Sequence, residues 1–429
     1  MKVDLRYGQA GLTVTLPAAC EPHIIRKPKM ALLQDKTAAV MNALDQPKGC
    51  ESLESIAGSK KTACILICDV TRPVPNEVFL RPVVERLLSA GLQLSDITIL
   101  VATGLHRPNE GDELARVVGD AWIMANVRVE NHFARDKNAH VDLGYTATRN
   151  TPVFLDRRFV EADMRIATGL VEPHFMAGYS GGRKVIAPGI AGEETIRTFH
   201  SAAFMADPNA IECNLVGNPL HEEQLQIVKM LGEVYAINTV IDEDRNLAFI
   251  NFGEVIQSHL QAVAFAQDCC VVEVDRRYHT VLTSAAGYPL DKTYYQTVKG
   301  MVTPMDIVND GGTIIIASDC GEGLGSANFR ASQTRLIEMG ADAFLQKIHQ
   351  QKLAEVDEWQ SQMQTKPTAK ARVQLYSEGL PDKDRHLTGI ERVVSIEQAI
   401  MKSIEESSDP VVAVIPEGPY VVPKFSGQR

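Results

Sequence analysis

Short apolar runs rich in Val, Ile and Leu alternate along the chain with amphipathic stretches, the pattern of parallel strands joined by crossover helices. A first block predicts strands at TACILICD (62–69), DITILVAT (96–103), MRIATGL (164–170) and YAINTVID (235–242), with helical segments such as EVFLRPVVERLLSAG between them. A second block begins near CCVVEVD (269–275), continues with HTVLTSA and GTIIIAS, and ends at VVAVIPEG (411–418). The stretch 254–270 reads as a helix feeding the second block, so the chain divides into domains 1–268 and 269–429. MKVDLRYGQAGLTVTLP at the N-terminus alternates like a strand. The stretch 322–365 reads as helical, and the subsequent TKPTAKAR is expected to interrupt it because proline lacks an N–H. The fold class is therefore α/β: two domains with mainly parallel sheets flanked by helices.

In open α/β sheets ligands sit beyond the carboxyl ends of the strands, so the residues just past each strand carry the chemistry. Strand 62–68 runs into Asp69-Val70-Thr71-Arg72-Pro73, strand 96–103 into Gly104-Leu105-His106-Arg107-Pro108, and strand 164–170 into Glu172-Pro173-His174. In the second block HTVLTSA leads into Gly287-Tyr288-Pro289-Leu290-Asp291, and GTIIIAS into Asp319-Cys320-Gly321-Glu322-Gly323. The reading places the active site in an interdomain cleft, between these two edges.

Composition narrows the field. A net charge of -11 disfavours a general nucleic-acid or membrane-surface binder, while a local basic pocket for an anion stays open. No stretch reaches the roughly 18 apolar residues of a membrane span, and the N-terminus lacks a signal-peptide core, so a cytoplasmic protein is expected. The 8 cysteines have no CxxC spacing and read as reduced core residues; Cys64 and Cys68, four apart on one strand, stand too far apart to share a metal.

The most unusual stretch, EPHFMAGYSGGRKVIAPGIAGEETIRTFH (172–200), packs glycines, two histidines and a lysine into a segment with little apolar periodicity. Its Ser180-Gly181-Gly182-Arg183-Lys184 portion can offer backbone N–H groups to a phosphate, with Arg183 adding charge. It is not a Walker loop, since Val185 follows Lys184. A helix is expected from about residue 193, with Glu193 and Glu194 in its first turn and His200 in its last. Arg72 can hold a carboxylate, and Asp69 can orient either Arg72 or a histidine. A helix beginning near Asp291 would set Tyr295 and Lys299 on one face with Gln296 beside them.

Taken in order, the Asp69–Pro73, Ala102–Pro108, 172–200 and Gly287–Asp291 motifs, with Tyr295-Gln296-Thr297-Val298-Lys299-Gly300, resemble the nickel-pincer-dependent lactate racemase family over almost the whole length. The resemblance implies an isomerase that racemises or epimerises a small 2-hydroxy acid. It implies a nickel-pincer nucleotide attached covalently to Lys184, with His200 as the protein's nickel ligand, and separate cofactor-biosynthesis enzymes as maturation partners. By the same resemblance His106 and His174 are the acid/base pair, Gln296 and Lys299 contact substrate, and Trp359 corresponds to a tryptophan near the nickel. Residues 1–268 would then bind cofactor, and 269–429 would close over substrate. Two alternatives stand beside this: a pyridoxal-phosphate enzyme using Lys184, and a non-catalytic hydroxy-acid or nucleotide binding protein.

Overall fold

The computed structural model describes residues 1–427. The chain forms two compact units. The first comprises Lys29–Phe199 and Asp207–Asp268; the second comprises Met1–Pro28, His200–Ala206 and the chain from Cys269 onward. The continuous division at 268/269 thus differs from the structure in two segments, for which strand pairing gives the reason. Glu21–Ile24 adds to the second unit's sheet alongside Val411–Ile415, and the hairpin Lys2–Leu5/Leu12–Thr15 packs Val3, Leu5 and Val14 against Ile400 and Val412.

The first unit is built on six strands in the order Leu247–Glu254, Tyr235–Ile241, Met164–Leu170, Ala63–Cys68, Ile97–Ala102, Arg128–Asn131. Only the Leu247–Glu254 pairing is antiparallel. Every residue of Ala63–Cys68 is buried, as expected of a central parallel strand covered on both faces. The helix Asn76–Ser89 supplies Phe79, Val83 and Leu87 to that core. Successive strands build outward in one direction from Ala63–Cys68 and then, from Met164–Leu170, in the other. The topological switch therefore falls beside Ala63–Cys68, and the carboxyl ends of three adjacent strands, 63–68, 97–102 and 164–170, open on the same edge.

The second unit has six parallel strands in the order Glu391–Val393, Arg372–Tyr376, Val308–Ala317, Tyr278–Ser284, Val411–Ile415, Glu21–Ile24. The parallel, helix-flanked α/β architecture read from the sequence is the one observed. Two local expectations are corrected. Helix Val255–Cys270 takes both cysteines of CCVVEVD, leaving Val271–Val274 as a strand paired only with Val422–Phe425. The helix Glu358–Lys370 runs through Pro367, because its flanks are buried by neighbouring elements and packing outweighs the one missing N–H. Among the described residues no helix is long and apolar enough to cross a membrane.

Candidate active site

At the switch edge of the first unit, the buried Asp69 carboxylate receives His106 Nδ1 at 2.6 Å and the Thr71 hydroxyl and amide at 2.5 and 3.2 Å. Burial alone would push the Asp69 carboxyl up. The hydrogen bonds and charge of His106, helped by Thr71, outweigh it and hold the group below its usual range. An ionised carboxylate only accepts, so Nδ1 of His106 carries a proton and neutral His106 leaves Nε2 bare. With 61% of its side chain exposed, that ring is presented outward while Asp69 is sealed behind it. Of the two roles left open for Asp69, the structure shows the histidine partner. Arg72 instead pairs with Glu172, a residue to which the sequence pattern assigns no role although it lies in the strand-end cluster.

His174 is set differently. It sits on a tight hairpin, Pro173–His174 against Gly178–Tyr179, and its Nδ1 accepts from the amides of Ala177 at 3.2 Å and Met176 at 3.4 Å. An N–H facing Nδ1 requires a lone pair there, so neutral His174 keeps its proton on Nε2. Its ring lies against Phe175, with centroids 5.2 Å apart. The two histidines thus follow the two strands that flank Ala63–Cys68, and they are in opposite tautomers.

The glycine turn before Lys184 lies directly on strand Met164–Leu170. A Cβ at Gly169 would come 2.9 Å from Gly181 Cα, and one at Gly181 would come 3.2 Å from the Leu170 carbonyl, so both positions need glycine. Lys184 itself, half-buried, stands in the short helix Arg183–Ile186. Two expectations here need correction. The Ser180 amide, expected to face a phosphate, donates instead to the Glu172 carbonyl at 2.9 Å, and its hydroxyl donates to the Leu170 carbonyl at 2.7 Å. Arg183 does not offer its charge to a phosphate: it is 2% exposed, its Nη1 meets His259 Nε2 at 2.9 Å, and its Nε is buried without a hydrogen-bond partner. The turn's positive φ values, +80° at Gly181 and +47° at Gly182, rotate the next side chain into the interior. Among the described residues no carboxylate is paired with Arg183, and burial pushes its guanidinium down to about 9. His259 also touches the Ser180 carbonyl at 2.8 Å, and burial, then the Arg183 charge, pushes His221 down to about 3. Neither histidine belongs to a motif in the sequence; His221 lies on helix Pro219–Leu231 and His259 on helix Val255–Cys270.

In the second unit the structure joins three predicted residues. Trp359 Nε1 donates to the Tyr295 hydroxyl at 3.2 Å, and the Trp359 ring lies 4.4 Å from His200, centroid to centroid. Gln360 Nε2 secures the Tyr295 carbonyl at 2.6 Å, and Phe329 meets the Tyr295 ring edge-on. Burial drives the Tyr295 phenol well above its usual range. Gln296 and Lys299 are on the same helix, Tyr294–Val302, and Gln296 Oε1 is buried without a hydrogen-bond partner. His200 is not in the last turn of its helix as expected. The helix Glu193–Phe199 ends one residue earlier and Ala202–Ala206 begins two later, with Ala202 packed beside Leu336, Phe344 and Ile348. That packing breaks the helix and assigns His200 to the second unit, whereas Lys184 belongs to the first.

Comparison with known proteins gives consistent matches. The family model described as lactate racemase N-terminal domain matches residues 7–212, and that described as lactate racemase C-terminal domain matches residues 274–422. The chain is 31% identical over 390 residues to the lactate racemase of Lactiplantibacillus plantarum, covering 90% of each chain. It is 32% identical over 329 residues to that of Thermoanaerobacterium thermosaccharolyticum, covering 76% of each. The solved lactate racemase apoprotein from the latter organism superposes with a TM-score of 0.91 at 28% identity, over 99% of this chain and 100% of that one. A Thermotoga maritima protein, 17% identical with a TM-score of 0.67 over 93% of this chain and 100% of its own, shares the fold alone.

Proposed function

The chain belongs to the lactate racemase family, and from that membership we propose that it is an isomerase inverting C2 of a small, lactate-like 2-hydroxy acid. The observation that carries the proposal is the opposed setting of the two histidines. One neutral ring presents a bare Nε2 and the other an Nε2–H, so one can take the substrate hydroxyl proton while the other donates a hydrogen bond to the oxygen left behind.

The side chains present fit a nickel-pincer nucleotide. Lys184 offers an amine suited to acylation beside a turn whose glycines allow close backbone approach, and His200 offers an imidazole suited to nickel. Among the described residues no group of three or more His, Cys, Asp and Glu forms a metal cage, so a nickel ion would bring its other ligands with the nucleotide. When bound, that group supplies a reversible hydride acceptor, which avoids a carbanion beside a carboxylate.

The remaining work falls to the chain's own residues. His106 takes the substrate hydroxyl proton at Nε2, and Asp69 stabilises the imidazolium that results. His174, whose Nδ1 is held by two amides, keeps its Nε2 proton and donates a hydrogen bond from it to the substrate oxygen, while His106 returns the proton that it took. Arg72 receives the substrate carboxylate by exchanging it for Glu172, and Lys299 adds positive charge. Gln296 Oε1 accepts from the substrate hydroxyl, and Trp359, anchored by Tyr295, orients the His200 ring.

The test is expression alongside the cofactor-making enzymes, then intact-mass and nickel analysis and a chiral assay on D- and L-lactate and larger 2-hydroxy acids. Racemisation with an adduct on Lys184 is expected. A nickel-loaded chain that exchanges no enantiomers of any 2-hydroxy acid would refute the reading.

A further inference from the structure

A second histidine network lies behind the switch edge, built on a residue with no role so far. His132 comes directly after the edge strand Arg128–Asn131, and its side chain is completely buried, as is that of its partner Asp156. Its Nδ1 lies 2.9 Å from Asp156 Oδ2, and its Nε2 lies 3.0 Å from the Ala191 carbonyl oxygen. Both ring nitrogens therefore face acceptors, and only the imidazolium has a proton for each.

The surrounding charges agree. Arg158 binds Asp156 through Nε and Nη2 at 2.9 and 2.7 Å, and binds Glu130 through Nη1 at 2.8 Å. Counting Asp156, Glu130 and Asp136 against Arg158 and Arg128, the surrounding charged groups leave minus one, which a cationic His132 cancels. His140 meets His132 edge-on at 5.2 Å and donates its own Nδ1 proton to the Asp136 carbonyl at 2.7 Å. Burial, then the His132 charge, pushes His140 down and keeps it neutral. Among the described residues Cys64, Arg128 and the Asp136 carboxylate are also close to this cluster.

His132 ties two segments of the site together. Its carbonyl accepts from the Thr103 hydroxyl at 2.6 Å, and Thr103 begins the turn that carries His106; the His106 amide returns to the Thr103 carbonyl at 2.9 Å. The adjacent Gly104 amide donates to the Gly189 carbonyl at 2.9 Å. Ala191, held by the ring, lies seven residues beyond Lys184 in a segment also stitched to its neighbours by the Gly192 amide on Phe154 and the Glu193 amide on Ala134, both 2.8 Å.

We propose that His132, held as an imidazolium, is a positioning residue that clamps the His106 turn to the segment beyond Lys184, fixing proton-transfer group and tether relative to each other. The proposal rests on the racemase reading for its consequence in turnover and is independent of it for the clamp. In nitrogen-detected NMR of the full chain without cofactor at neutral pH, both ring nitrogens of His132 carry a proton, one for each acceptor they face. A bare ring nitrogen at neutral pH overturns the proposal.

His132→Gln and the milder Thr103→Val should both speed amide exchange at Gly104 and residues 189–193, by about tenfold or more in the first, while the second unit's strands stay unchanged. In the loaded enzyme, His132→Gln lowers kcat by about 10²-fold, the scale of a small misplacement, with KM moving less than about threefold. Unaltered exchange at these amides in Thr103→Val, which removes one hydroxyl and should fold, also overturns the clamp. Because ring protonation and exchange need no turnover, a wild-type chain that racemises nothing would defeat the proposed function and leave this inference standing.

Discussion

The two units share a six-stranded α/β plan but bury different polar groups. Around its switch edge the first unit encloses ionisable side chains: Asp69, Asp156, Arg183, His132, His140, His221 and His259. The second unit encloses mainly hydroxyls and amides, among them Ser284, Thr297, Ser318, Gln333, Gln360, Gln362 and Gln364. Amide and hydroxyl networks such as Gln333–Gln364 and Ser332–Ser361 hold shape at any pH. Buried imidazoles and carboxylates tie shape to protonation, and in this chain they gather around the residues proposed for proton transfer and tethering.

The contrast can be broken most severely at Lys184. Lys184→Ala should abolish both the covalent adduct, read by intact mass, and racemisation, read by chiral assay; a full adduct on that variant would end the tether assignment. Next in size is Asp69→Asn, which deprives His106 of the acceptor that sets its tautomer. A kcat loss of about 10⁴-fold with the adduct retained is expected, the scale on which neutralising an orienting carboxylate acts.

A third test separates the units by acid. Burial, then the Arg183 charge, lowers His259 far below its usual range and His221 to about 3, so the unfolded chain binds protons there that the folded chain refuses. Stability from these groups is intact above the unfolded pKa near 6.5 and declines as pH falls from there toward 3. The first unit should therefore loosen first on acidification. One tryptophan lies in each unit, Trp122 and Trp359, so Trp359→Phe and Trp122→Phe chains report the two separately by fluorescence. Coincident acid transitions would remove the contrast. The smallest effect is expected at Tyr295→Phe, which deletes the acceptor for Trp359 Nε1 and should cost about 1 kcal/mol in thermal or urea unfolding.

Much of the first unit's edge is legible in the sequence because its central strands are unbroken apolar runs, and in a parallel sheet the rule of strand ends places the residues just beyond such a run. Asp69, Arg72, His106, Glu172 and His174 stand out that way. His132 does not, because RVEN, on an edge strand, carries no apolar run to announce it. Arg183 misleads because an arginine beside two glycines reads as surface charge, while the glycines' positive φ values turn it inward. Pro367 misleads because local propensity is a weak force against burial on several sides. Glu21–Ile24 escapes because its partner strand lies nearly 400 residues away in the chain.

Periodicity and residue type by themselves determined the alternation of strands and helices, the order of the motifs and the chemical groups available, since burial preference and reactivity are properties each residue carries with it. Tertiary structure alone decided which strands are neighbours, and with them the partners of each titratable group. Asp69 meets His106 across 37 positions, and Arg183 meets His259 across 76. Whether a histidine is base, acid or permanent cation depends on the donor or acceptor facing each nitrogen, and those arrive from strands and helices that only packing brings together.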